Sequence, residues 1–136
     1  MTLFISEEWT TLFGSSLDNE SNDIKIGNDG SIYIAGTTRG DLDGQTNNGA
    51  TDAFISKFNN AGEKQWTRLL GTDEDDGGNS ILIGSNNSIY LLGGTQGDLD
   101  GQTNSGSSDG FICKYDVNGN KEWTTLIGSW NSDNIN

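Results

Sequence analysis

Gly40-Asp41-Leu42-Asp43-Gly44-Gln45-Thr46-Asn47 returns unchanged as Gly97-Asp98-Leu99-Asp100-Gly101-Gln102-Thr103-Asn104, 57 residues further on. The same offset links Trp9 to Trp66 and Trp66 to Trp123, and Ile32-Tyr33 to Ile89-Tyr90. Roughly half the positions agree between the two copies, and no gap is needed to align them. Self-similarity at a fixed long period marks a repeat architecture. Each copy is therefore read as one supersecondary unit.

Working outward from that stretch, each unit reads as short strands joined by turns. Asp23-Ile24-Lys25-Ile26 alternates as a half-buried strand does. Asn28-Asp29-Gly30 is a turn, with glycine free to take positive φ. Ser31 to Ala35 is nearly apolar throughout, the pattern of a strand covered on both faces. Asp52 to Phe58 is the third strand, and Glu63 to Gly71 closes the unit. The second unit repeats this with Ser80–Ile83, Ser88–Leu92, Asp109–Ile112 and Lys121–Ile127. Ser15–Asn22 reads as a polar loop. Trp9-Thr10-Thr11-Leu12-Phe13-Gly14 reads as an extra terminal strand after an apolar lead-in at residues 1–6. The expected division is residues 1–14 for the N-terminal Trp strand, 15–71 and 72–128 for the two repeats, and 129–136 for a polar tail. No ten-residue window sustains helical periodicity, so the expected class is all-β. Four-stranded antiparallel units in tandem are the blades of a β-propeller.

Composition narrows the function classes. The chain has 136 residues and a net charge of −13, with seven Lys and Arg that form no cluster. That argues against nucleic acid, whose affinity comes largely from basic contacts to phosphate, and against anionic membrane surfaces. No apolar run approaches the length of a membrane-spanning helix. Met1 to Glu8 lacks a basic start and a cleavage site, which reads as no signal peptide. Location is thereby left between the cytoplasm and a piece of a longer exported protein. Cys113 is the single cysteine, and its repeat counterpart is Ser56, so it reads as a small residue in a strand. With no histidine, the usual general base and the Ser-His and Cys-His nucleophile pairs are absent.

With these pieces laid out, the chain resembles the bacterial SBBP (seven-bladed β-propeller) repeats. Gly30-Ser31-Ile32-Tyr33-Ile34-Ala35-Gly36, Asp52 to Phe58, Gly62 to Trp66 and Leu69-Leu70-Gly71 carry the resemblance. The second copy matches too, with Gly110 in place of Ala53. The resemblance implies four-stranded blades around a central axis. It also implies that Trp9, Trp66 and Trp123 look like the docking tryptophan of pyrroloquinoline-quinone-type propellers, though without the acid, base and metal constellation of those enzymes. Propellers close with about four to eight blades, and here there are two. Bare apolar faces drive association, so the expectation is either a ring of three or four chains or a piece of a longer propeller.

The candidate ligand sites lie in the repeated stretch. Asp41 and Asp43 with Asn47 and Asp52, and their twins Asp98, Asp100, Asn104 and Asp109, offer the oxygen donors that suit Ca²⁺. An EF-hand does not fit, because the glycine is two places too early and no helices flank the loop. The competing reading is an Asp-Gly turn whose carboxylates cap backbone N–H groups, with Asp52 capping the next strand. Asp73-Glu74-Asp75-Asp76-Gly77-Gly78 reads as a solvated acidic loop. The three recurring tryptophans read as packing residues rather than sugar-stacking platforms, while Trp130 breaks the repeat. The leading expectation is a non-catalytic binding or scaffold module. The alternatives are a lectin-like module that binds glycan, with or without calcium, and last a hydrolase using loop carboxylates.

Overall fold

Within the two repeats the apolar runs become strands, and turns carrying glycine or asparagine at positive φ reverse them. The computed structural model describes residues 8–129. The first repeat gives β1 (Asn19–Ile26), β2 (Ile32–Thr38), β3 (Asp52–Phe58) and β4 (Lys64–Leu70). The second gives β5 (Asp76–Ile83), β6 (Ile89–Thr95), β7 (Asp109–Tyr115) and β8 (Lys121–Ile127). Each set forms a four-stranded antiparallel sheet in chain order. Among the described residues there is no helix, so the chain is all-β. The β1–β2 turn holds Gly30 at φ 83°, and its counterpart Asn87 takes φ 65°. Asparagine is among the few residues with a side chain that enter this region routinely.

Three expectations are corrected. Ser15–Asn22 is not all loop, because β1 begins at Asn19 and pairs back to Thr38. Asn19 to Asn22 are exposed polar residues, so no apolar alternation announces them. A shift of register between Ser21 and Asp23 makes a bulge at Asn22, and Gly78–Ser80 repeats it. Second, Trp9–Gly14 is not a ladder strand. It is held through side chains, since no neighbouring strand among the described residues is placed to pair with it. Third, Asp76 does not belong to a solvated loop. It opens β5 and is 3% exposed. The lead-in 1–6, Trp130 and the tail from Asn131 lie outside the described residues.

The two sheets pack face to face. Tyr33, Ala35, Ala53, Ile55 and Leu70 of the first meet Ile81, Ile89, Leu91, Phe111, Cys113 and Tyr115 of the second in one buried cluster. Polar contacts stitch the same junction. The bulged Asn22 donates Nδ2 to Gly78 O at 2.8 Å, and Ile81 N donates to Asp23 Oδ2 at 2.8 Å. At the other rim Trp66 Nε1 donates to Val117 O at 3.2 Å and Arg68 Nε to Gly119 O at 2.7 Å. The Trp66 ring lies between Tyr33 and Tyr115, with centroids 6.2 and 6.5 Å away. Gly119 has φ 82°, and a Cβ there would come within 2.8 Å of the Trp66 ring. Glycine is required at this seat twice over, by conformation and by the approach of the indole.

Counterpart positions differ in exposure according to which side has a neighbour. Tyr33, Ala35, Ile55 and Leu70 are buried, whereas Tyr90, Leu92 and Ile112 are half-buried and Ile127 is 49% exposed. In the opposite sense Ile81, Ile89 and Leu91 are buried, whereas Ile24 is 58% exposed and Ile32 and Ile34 are half-buried. Among the described residues each sheet therefore has one covered face and one open face, and the two open faces are the repeat counterparts of the two that already fit together.

Candidate functional site

The repeated Gly40–Asn47 stretch forms a tight turn on the β2–β3 connection. Leu42 is fully buried and exchanges two backbone hydrogen bonds with Gln45 at 3.0 and 2.9 Å. Asp43 and Gly44 have φ of 51° and 75°, and Asp100 and Gly101 have 50° and 76°. Positive φ at both central residues is the signature of a type I′ turn, which favours Asp-Gly. Leucine anchors the turn and Asp-Gly shapes it, so the local sequence accounts for the conformation.

The turn directs each carboxylate to its own donors. Asp43 accepts from Lys64 Nζ and Thr67 Oγ1. Asp100 accepts from Lys121 Nζ at 2.7 and 2.8 Å and from Thr124 Oγ1. Partial burial pushes the Asp43 carboxyl up, and the Lys64 and Thr67 bonds outweigh it, holding it below the usual range. Asp41 Oδ1 accepts from Asn47 N at 2.8 Å, and Asp98 Oδ1 from Asn104 N at 2.8 Å. Asn47 and Asn104 donate Nδ2 to Thr38 O and Thr95 O, each at 3.0 Å. Asp52 Oδ2 accepts from Asn48 N at 3.0 Å, and Asp109 Oδ2 from Ser105 N at 2.8 Å. Among the described residues no group of three or more acidic, His or Cys side chains is placed to hold a metal ion.

What sequence reasoning missed is a set of buried carboxylates. Asp52, Asp76 and Asp109 are 0%, 3% and 1% exposed, and among the described residues the Oδ1 of each has no hydrogen-bond partner. Asp76 Oδ2 accepts from Thr72 N at 2.6 Å and Thr72 Oγ1 at 2.9 Å. Asp52 packs against Gly71 so closely that a Cβ there would lie 2.3 Å from its oxygen. Gly128 stands in the same relation to Asp109, at 2.0 Å. The recurrence of Asp52 with Gly71 at the 57-residue offset was the available signal. Burial pushes both Asp52 and Asp76 above the usual carboxylate range, and the charge of Asp76 adds to the rise at Asp52.

Because both folded values are raised, the stability these groups contribute is fully present below the ordinary carboxylate range. It is lost as pH rises through their folded values. Asp52→Asn is accordingly expected to stabilise the protein by about 1 kcal/mol near neutral pH, where an ionised buried oxygen lacks a donor. No gain is expected below about pH 4, where the wild-type group is protonated. Urea midpoints of both proteins across that range check this. A gain of equal size at both ends would show that ionisation of Asp52 is not the cause.

Trp9 and Trp123 lie at the two open faces. Trp9 Nε1 donates to Asn60 O at 3.2 Å, and the Trp123 ring lies 6.2 Å from Tyr90. They are 42% and 43% exposed, while Trp66 is half-buried at the junction. Cys113 is fully buried beside Thr124 Oγ1 at 3.4 Å, and burial pushes its thiol up. A thiol so placed is a poor nucleophile.

No family model matches the chain. Among curated proteins it is similar to the regulatory protein FlaEY of Caulobacter vibrioides, with 29% identity over 121 residues. The match takes in 79% of this chain and 13% of that protein, so the chain spans a small part of its relative's length.

Proposed function

We propose that this chain is a non-catalytic β-propeller-type module serving as a binding or scaffold surface, with its open faces completed by further copies of itself. The two sheets act as neighbouring blades, and about three or four chains close a ring of six or eight. The observation that carries this is the exposure pattern. Ile24, Ile26, Trp123 and Ile127 are 43–63% exposed at positions where their counterparts at the sheet junction are more covered. Apolar faces of this kind are uncommon on a monomer surface. A non-catalytic role is supported by the lack of histidine, the buried Cys113 and the loop carboxylates held by their own donors.

Light scattering coupled to size exclusion, over a range of concentrations, tests the reading. The mass is expected to rise with concentration to a limit of three or four chains. A constant single-chain mass would overturn it. One observation favours a second reading, in which the faces are covered by further repeats of a longer chain. The similar FlaEY protein is far longer than the matched region. A constant single-chain mass would favour that reading.

A further inference from the structure

The segment Trp9-Thr10-Thr11-Leu12-Phe13-Gly14 matches Trp123-Thr124-Thr125-Leu126-Ile127-Gly128 at every position except Phe13, which stands opposite Ile127. Its seat is equally close to a copy. At the junction between the sheets, β4 donates from Trp66 and Arg68 to Val117 O and Gly119 O. The counterparts of those acceptors on the first sheet are Asn60 and Gly62. Both are taken by the N-terminal segment: Trp9 Nε1 donates to Asn60 O at 3.2 Å and Thr11 Oγ1 to Gly62 O at 2.8 Å. The Trp9 ring lies over Gly62, where a Cβ would come within 2.6 Å of it, as the Trp66 ring lies over Gly119. Phe13 covers Phe54 and Phe58, with ring centroids 5.9 and 5.2 Å away. Residues 9–14 thus fill, on the open face of the first sheet, the place that the last strand of an incoming sheet would take.

We infer that residues 9–14 are a built-in competitor for the docking of a second copy of this chain. The inference rests on the self-association reading above. A second copy would present its Tyr90, Leu92, Ile112, Trp123 and Ile127 face, and its Trp123 would need the Asn60 carbonyl that Trp9 holds. Two indole rings cannot share that seat, so the N-terminal segment must leave before the copy docks fully.

The segment is the weaker contender. It makes no strand ladder, and Leu12 is 94% exposed. By contrast β8 is laddered to β7 and tied by Lys121 and Thr124 to Asp100 and by Gln102 to Thr124 and Leu126.

The test compares the concentration at which the full chain associates, by light scattering, for wild type, Trp9→Ala and Thr11→Val. Removing the Trp9 hold is expected to lower the association midpoint about tenfold. Thr11→Val, which deletes only the hydroxyl donor, should act in the same direction with a smaller shift, and it covers the case in which Trp9→Ala misfolds. An unchanged or raised midpoint in both variants, with wild type assembling, overturns the competition and leaves self-association standing. Assembly of the variants from a wild type that stays single-chain supports the competition and overturns wild-type ring closure. Single-chain masses for all three overturn both.

Discussion

Phe111→Ala is expected to lower folding stability by about 3–5 kcal/mol, the largest effect of any single side-chain truncation considered for this protein. Phe111 is fully buried on β7, in the cluster that joins the two sheets. The space around it cannot close after truncation, because its ring is seated against backbone. A Cβ at Gly93 would meet Phe111 Cζ at 2.7 Å and Gly77 O at 2.0 Å. The walls of the cavity are thus main chain of β5 and β6, held by ladder bonds, and cavity cost rises where walls do not relax. Small domains have only about 5–15 kcal/mol in total, so the variant is expected to be near unfolding. Leu82→Ala serves as the comparison, since Leu82 is 56% exposed, and a change within about 0.5 kcal/mol is expected there. Urea denaturation of the three proteins measures both. A Phe111→Ala loss no larger than that of Leu82→Ala would show that the two sheets do not share this core.

Ile127→Glu and Ile24→Glu are each expected to abolish self-association and leave single chains, while an equimolar mixture of the two gives a two-chain species. The reason lies in the polarity of the module. Ile127 is on the open face of the second sheet and Ile24 on the open face of the first. A head-to-tail contact uses one of each. An unpaired carboxylate buried at either face costs several kcal/mol, enough to weaken association by more than about a hundredfold. Each variant keeps one sound face, so the two variants can make a single contact with each other and then stop. Light scattering of the separate and mixed proteins reads this directly. A mixture that stays single-chain would argue against pairing between these faces, and a mixture that forms the full ring would show that the faces tested are not the ones used. Both changes leave the buried junction between the sheets untouched, so loss of folding is not the expected explanation of a loss of mass.

The contrast between local and distant information runs through the whole molecule. The 57-residue period, the strands at Asp52–Phe58 and Lys121–Ile127 and the Asp-Gly turns at 43–44 and 100–101 are legible in the chain. Each depends on neighbours a few residues away: alternation, β-branched and aromatic residues, or a pair tolerant of positive φ. The polar start of β1 was not legible, because Asn19–Asn22 are exposed and strand only by pairing with Thr38–Gly36. Asp76 lies in a run of acids, a local pattern that marks a solvated loop. Its burial comes from the docking of β5 on the first sheet, where Thr51 O accepts from Asp76 N at 2.9 Å. The unpartnered Oδ1 atoms of Asp52, Asp76 and Asp109 belong to the same class, since burial is a property of what packs above a residue. The repeat, the strands within it and their turns thus follow from local sequence. Only the tertiary structure decided which copy of each apolar position is covered, and that Trp9–Gly14 rests on Asn60 and Gly62 about fifty residues away. Identical side chains at counterpart positions carry no mark of whether a neighbouring sheet lies beside them.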